Sequence, residues 1–159
     1  MSTAEHDILQ LLYRYAETID QGRLEDAATL FRHARIETGA GGVLDADGLL
    51  ALWRRLLVLY PCGTPRTRHL ITNPIVDIDE DAGTAHARSC YTVLQATSDF
   101  PLQIIASGRY LDRFARIDGT WCFVARDYRQ LDFRGDLSHH LHAGSLPARA
   151  SAQGHPSPD

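Results

Sequence analysis

Thr67-Arg68-His69-Leu70-Ile71-Thr72-Asn73 opens the first of four long runs whose reading decides the fold. The runs span 67–79, 84–98, 102–117 and 120–133, and their mixture of β-branched, aromatic and alternating polar residues predicts strands. Compact turns separate them: Glu80-Asp81-Ala82-Gly83, the Asp99-Phe100-Pro101 region and Asp118-Gly119. Turns this short make sequential antiparallel pairing the default. Strands this long twist and curl, so one side of the sheet becomes concave.

Working back from Thr67, the chain reads as helices that lie over that concave side. Ser2-Thr3-Ala4-Glu5 fits a capping box, and Ile8, Leu11, Leu12, Tyr15 and Ile19 recur on one helical face to about Ile19. Asp20-Gln21-Gly22-Arg23 breaks this helix, with Gly22 able to take the positive φ of a helix terminus, and 24–31 reads as a second, shorter one. A short strand over 35–38 leads into Gly39-Ala40-Gly41-Gly42, after which Asp45 or Asp47 caps a third helix expected to run through Tyr60. Its stripe of Leu49, Leu52, Trp53, Leu56 and Tyr60 is widened by Leu50 and Leu57, enough to pack across a sheet and leave room for a subunit contact. Beyond Phe133, the segment Arg134-Gly135-Asp136-Leu137-Ser138-His139-His140-Leu141-His142 reads as a short turn at the mouth of a pocket. The expected division is one domain over 1–143 and a disordered tail over 144–159, whose small residues and prolines bury too little surface to order themselves.

Composition narrows the function classes. A chain of 159 residues supports one domain with a core, and a net charge of −4 gives no basic footprint for nucleic acid and no polybasic membrane patch. The most apolar region, 49–60, is interrupted by Arg54 and Arg55 and is too short to span a bilayer. Glu5, His6 and Asp7 arrive where a secretory leader needs a basic then apolar start, so a cytoplasmic address is expected. Cys62, Cys90 and Cys122 are odd in number and widely spaced, which reads as small buried hydrophobes and not as a disulfide framework or zinc site.

These elements in this order resemble the cone-shaped α+β barrel of the nuclear transport factor 2-like superfamily, a curved antiparallel sheet with N-terminal helices over its concave side. Within it the resemblance is to the SnoaL-like group, which includes scytalone dehydratase, bile acid 7α-dehydratase and hexachlorocyclohexane dehydrochlorinase. It covers about residues 5–142 and rests on Tyr15-Ala-Glu-Thr-Ile-Asp20, Arg68-His69-Leu-Ile-Thr-Asn73, Asp118-Gly-Thr-Trp-Cys-Phe-Val-Ala-Arg126 and Gly135-Asp-Leu-Ser-His-His-Leu141. The resemblance implies an Asp20–His69 pair, a functional Arg126 as in the dehydrochlorinase, and a Tyr15 placed like the tyrosine of bile acid 7α-dehydratase. One departure stands out: the second pocket histidine of scytalone dehydratase has no counterpart, since 87–91 offers only Ser89 or Tyr91.

Each candidate has a bland reading beside the functional one. His69 is a general base or a strand histidine satisfied by backbone; imidazole accepts protons near neutral pH, and a facing carboxylate fixes its tautomer. Asp20 is that carboxylate, or a helix-end cap. Arg126 is a pocket electrophile or an outer-face ion pair, because strict alternation puts Cys122, Val124, Arg126 and Tyr128 on one face and Trp121, Phe123, Ala125 and Asp127 on the other, both partly apolar. Tyr15 is core or proton donor, and Tyr13, seven residues before Asp20, competes with it. Tyr13, Trp53, Asn73, Tyr91, Ser107, Tyr128 and His140 are the candidate substrate contacts. His139, His140 and His142 suggest a metal, but adjacent histidines in a short loop seldom converge on one ion, so neither metal nor cofactor is expected.

The reading that results is a cofactor-independent lyase, a dehydratase or related isomerase, acting on an apolar cyclic hydroxylated small molecule. Its partners are that substrate and further copies of the chain, as a homodimer or higher homo-oligomer. The rival is a non-catalytic binder or assembly subunit, like the small subunits of ring-hydroxylating dioxygenases, which share the fold.

Overall fold

Helix α1 (Thr3–Asp20) forms where the apolar stripe demands it, and Ile8, Leu12, Tyr15 and Ile19 are all buried on one face. The chain is described here from a computed structural model over residues 3–39 and 42–144. The serine of the capping box, the centre of the glycine-rich turn and the tail from 145 onward lie outside the described residues. After α1 the backbone turns at Gly22, whose φ is +73°; a Cβ there would sit 2.0 Å from the carbonyl oxygen of Gly63. Only glycine permits that approach, and it docks the end of α1 beside the turn that feeds the first long strand.

Helix α2 (Leu24–Thr29) is shorter than expected, because 30 and 31 tighten into turns bonded to Ala27 and Ala28. Strand β1 (Arg35–Thr38) pairs with β2 (Gly42–Leu44), a three-residue strand that the glycine-rich composition concealed. Helix α3 (Ala46–Leu56) is capped by Asp45, whose Oδ1 accepts the Gly48 N–H at 2.8 Å. It stops at Leu56 and not at Tyr60. Leu57 is extended, the Val58 N–H donates to the His140 carbonyl, and the Leu56 carbonyl accepts from the His142 N–H, so the segment 137–142 supplies the hydrogen bonds that another helical turn would have made.

The four long runs become five strands: β3 (Thr67–Asp79), β4 (Thr84–Thr97), β5 (Phe100–Ile117), β6 (Thr120–Asp127) and β7 (Leu131–Arg134). The expected last strand over 120–133 breaks at 128–130. Eighteen residues long, β5 carries β6 along one half and β7 along the other. Gly108 lies at the step, where a Cβ would be 2.1 Å from the Gln130 carbonyl oxygen. The sheet runs β2-β1-β6-β5-β4-β3 and does not close. It is mixed and not wholly antiparallel, because β1 joins β6 in parallel.

Helix α1 lies against β3 and β6, with α2 and α3 completing the layer over the concave face. Along β4 every second residue faces that layer: Ala85, Ala87, Ser89, Tyr91, Val93 and Gln95 are buried. The opposite face is open, and Ile104, Leu102 and Phe133 stand 59%, 70% and 73% exposed on or beside it. Of the three cysteines only Cys122 is buried; Cys90 is half-buried and Cys62 is exposed in the turn after 60, which corrects the expectation for that residue. Among the described residues no helix is long and apolar enough to cross a membrane.

Candidate active site

Thr67 and His69 sit two residues apart on β3 and so point to the same face, toward the end of α1 that the Gly22 turn has brought alongside. Asp20 receives both. Thr67 Oγ1 donates to Asp20 Oδ1 at 2.8 Å, the backbone N–H of His69 donates to Oδ2 at 2.7 Å, and His69 Nδ1 lies 2.6 Å from Oδ1. A carboxylate can only accept, so Nδ1 carries the proton and Nε2 is left as the ring's free base. Both side chains are largely sealed from solvent, with 7% and 12% exposure for the histidine and the aspartate.

The ring of His69 borders a cavity of about 220 Å3 between the helices and the sheet. Its polar lining is four phenols, a second imidazole and an indole: Tyr15, Tyr91, Tyr110, Tyr128, His140 and Trp53. Tyr128 Oη donates to Tyr15 Oη at 2.9 Å, Tyr15 lies edge-on to His69 at 6.3 Å, and Tyr91 stacks on Tyr110 at 4.4 Å. Burial, with some repulsion from Asp132, pushes the Tyr91 phenol up to about 12. Burial first, then neighbouring phenols, carries Tyr15, Tyr110 and Tyr128 well above the usual range despite the pull of Arg126. All four phenols are therefore protonated at neutral pH.

The segment 137–142 lines one side of this cavity with Leu137, His140 and Leu141. Its backbone is tied down from two sides: the His139 carbonyl accepts from Tyr60 Oη at 2.6 Å and Gln95 Nε2 at 3.0 Å, and Leu57 bridges Leu141. Burial lowers the His140 imidazole to about 4, with the His69 ring adding to the effect and Asp20 opposing it. At neutral pH His140 is uncharged.

Arg126 occupies a different place from the one expected of a pocket electrophile. It is fully buried beneath the tyrosines and forks onto Asp112, Nε to Oδ1 at 2.7 Å and Nη2 to Oδ2 at 2.8 Å. Its Cζ stands 4.1 Å from the Tyr110 ring centre and 4.3 Å from that of Tyr15, so the cation lies against those ring faces, with Nη1 buried and without a hydrogen bond. Alternation failed to place it because Val124 bulges: Phe114 pairs with Phe123 while Arg113 pairs with Ala125. The extra residue turns Phe123 and Arg126 to the same side.

Of the other candidates, Tyr15, Trp53, Tyr91, Tyr128 and His140 come together around the cavity with His69. Asp20 stands behind the ring and borders a separate outer groove, with Tyr13, Glu17 and Arg68. Tyr13 is thus outside the cavity. Asn73 is exposed at a bulge in β3 with φ +51°, where the register slips between Thr72 and Ile75. Ser107 faces the outer side of the sheet, donating to the Tyr91 carbonyl at 3.1 Å beside Thr92. His139 stacks on Phe100, His142 is exposed, and among the described residues no three His, Cys, Asp or Glu side chains converge as metal ligands. Sequence reasoning missed Tyr110 and Asp112, although the alternation Tyr110, Asp112, Phe114 along β5 carried the signal; the tethers Gln95 and Tyr60 had none.

The fold is that of an NTF2-like protein with a cystatin-like fold from Novosphingobium aromaticivorans, matched with a TM-score of 0.63 at 18% identity over 77% of this chain and 79% of its own. The beta 1 subunit of the terminal oxygenase component of terephthalate 1,2-dioxygenase from Comamonas sp is 31% identical over 118 residues, covering 66% of this chain and 76% of its own. Two solved structures from Novosphingobium aromaticivorans share the fold. One, provisionally assigned as a scytalone dehydratase, is 20% identical with a TM-score of 0.62, over 80% of this chain and 83% of its own. The other, the beta subunit of a provisionally assigned aromatic-ring-hydroxylating dioxygenase, is 21% identical with a TM-score of 0.63, over 86% and 95%. The SnoaL-like domain model matches residues 1–127, and the chain belongs to that family.

Proposed function

We propose that this protein is a cofactor-independent lyase or isomerase that abstracts a proton from an apolar, cyclic, hydroxylated small molecule held in the cavity. The observation that carries the reading is His69, its Nδ1 committed to Asp20 and its ring bordering a cavity lined with protonated phenols. Nε2 takes the proton from carbon, and Asp20 stabilises the imidazolium that forms. In a dehydration the C–H electron pair becomes the new C=C bond, the C–O bond breaks, and the departing hydroxyl takes the Tyr15 proton and leaves as water. Tyr128 then hydrogen-bonds the phenolate, with the Arg126 cation beneath it as a positioning residue. In an isomerisation the proton on His69 returns to a different carbon.

A volume of about 220 Å3 lies below the usual range for ligand pockets, roughly 300–1,000 Å3, which favours a ligand of one or two rings. The test is a panel of one- and two-ring hydroxyketones, followed by mass spectrometry for loss of water and by absorbance for a moved double bond. His69→Ala and Asp20→Asn should each cut turnover by about 10²–10⁴-fold with the fold intact. Full turnover in either variant ends the catalytic assignment.

A second reading, an assembly subunit, draws on a specific feature as well as on the dioxygenase relatives. On the open face of the sheet, Leu70, Thr92, Ser107 and Phe133 fall in one register row, and Leu94 and Ile104 in the next. Exposed apolar residues gathered like this mark contact surfaces. A homo-oligomer through this face would dissociate in Phe133→Glu and Ile104→Glu, read by light scattering; a monomeric parent protein would rule it out.

A further inference from the structure

Asp20 carries its charge at the unfavourable end of a helix. It is the last residue of α1, where the helix macrodipole is negative, no basic residue occupies the last turn, and Glu17 stands three residues back on the same face. What holds the carboxylate is strand β3. Three donors reach it from two residues: the Thr67 hydroxyl and His69 Nδ1 share Oδ1 at 2.8 and 2.6 Å, and the His69 backbone N–H donates to Oδ2 at 2.7 Å.

The two donors of His69 do not by themselves fix Asp20. The backbone N–H is a pivot about which the carboxylate can turn, and the ring is the group that Asp20 has to orient. That leaves Thr67. It is buried, opens β3 beside the docked end of α1, and carries a β-branched side chain of restricted χ1, so its hydroxyl is aimed at Oδ1.

A rival position for the carboxylate lies close by. Asp20 borders the outer groove, about 390 Å3 in volume, and Arg68 lines the same groove. Among the described residues Arg68 has no ion-pair partner. A carboxylate released on its Oδ1 side would turn toward that guanidinium, which offers a charge in place of a hydroxyl. The His69 ring would then lose the acceptor that fixes its tautomer.

We propose that Thr67 is a positioning residue for the pair: its hydroxyl keeps the Asp20 carboxylate on the His69 ring and out of the groove where Arg68 would hold it. The catalytic consequence rests on His69 being the base, as in the proposed function; the hold on the tautomer does not.

Thr67→Val removes the hydroxyl and keeps the shape, with Thr67→Ala in reserve should the valine variant fail to fold, and Thr67→Ser keeps the hydroxyl. The first measurement needs no substrate. In protein labelled with ¹⁵N-histidine, the Nδ1 proton of His69, assigned by its loss in His69→Ala, should resonate far downfield, persist in Thr67→Ser and in Arg68→Met, and vanish or move upfield in Thr67→Val. Adding Arg68→Met to Thr67→Val should bring it back, because the competing cation is gone; a hydroxyl that served only the packing of β3 would not be replaced by removing a charge at 68. The second measurement is turnover of the hydroxyketone that the panel identifies: Thr67→Val should lower kcat by about 10–100-fold with KM within about twofold, and both Thr67→Ser and the double variant should recover most of the loss. No downfield proton in the unsubstituted protein, an unmoved one in Thr67→Val, a loss that Arg68→Met does not reverse, or full kcat in Thr67→Val would each overturn the proposal. A panel without turnover would end the lyase reading and leave the resonance to decide this one.

Discussion

Asp20–His69 and Asp112–Arg126 are both a carboxylate facing a nitrogen base across less than 3 Å, and they differ in what lies on the far side of the base. Behind the Arg126 guanidinium are ring faces, with Tyr110 and Tyr15 within about 4 Å. Behind the His69 ring is a cavity. Arginine cannot release its proton, and both members of its pair are 0% exposed, so that pair ties β5 to β6 beneath the tyrosines without taking part in exchange. Histidine can accept and release a proton, and it borders a cavity. The same electrostatic motif is structural where it is sealed and chemically usable where one side is left open.

The largest expected effect breaks the sealed pair. Arg126→Met strands Asp112 in the core, where burial already pushes its carboxyl up against the pull of the guanidinium, and should cost about 3–5 kcal/mol in urea unfolding. Adding Asp112→Leu should recover most of that loss. A cost under about 1 kcal/mol for the single variant would mean that the pair does not hold the core.

The open side has its own signature in pH. His140 is held neutral with its value lowered to about 4, so as pH falls below about 6.5 the unfolded chain takes up a proton that the folded chain refuses. Stability from this group is full above about 6.5 and is lost progressively down to about 4, by up to about 3 kcal/mol. Asp112 works in the opposite sense, because its raised value makes the folded chain the better proton acceptor. Comparing His140→Phe with its parent in denaturant at pH 7 and pH 4.5 isolates the histidine, and the variant should show the flatter profile.

Gly22→Ala sharpens the comparison by disturbing only one pair. Its added Cβ would meet the Gly63 carbonyl at 2.0 Å in a backbone conformation that alanine disfavours, for a cost of about 2 kcal/mol. Since Gly22 sets the distance from α1 to β3, turnover should fall with stability, while the near-ultraviolet circular dichroism of the tyrosines over Arg126 should persist. Asp20→Asn should have the smallest effect on folding, about 1–2 kcal/mol for weakened hydrogen bonds, against its large effect on rate. If Asp20→Asn instead unfolds the protein as Arg126→Met does, the contrast between the two pairs disappears.

Much of this arrangement was legible in the residues. The stripe from Ile8 to Ile19, an aspartate cap at 45 or 47 that falls to Asp45, and the alternation along β4 each follow from local periodicity and side-chain chemistry. The meeting of Asp20 with His69 was readable through resemblance, with Gly22 as the local sign of the turn that makes it possible. Asn73 and Ser107 read as plausible pocket groups because nothing local tells the concave face from the convex one.

The sequence by itself determined the kinds of element and their order, since helix and strand periods, caps and turns depend on neighbours a few residues apart. Only the tertiary structure decided which groups are sealed and which are open. The bulge at Val124 that turns Arg126 inward, the end of α3 at Leu56, and the unpaired nitrogen of His140 arise from hydrogen bonds and packing between strands and segments distant in the chain. Burial is a property of those meetings, and with it goes the difference between an arginine that braces the core and a histidine that can act on a ligand.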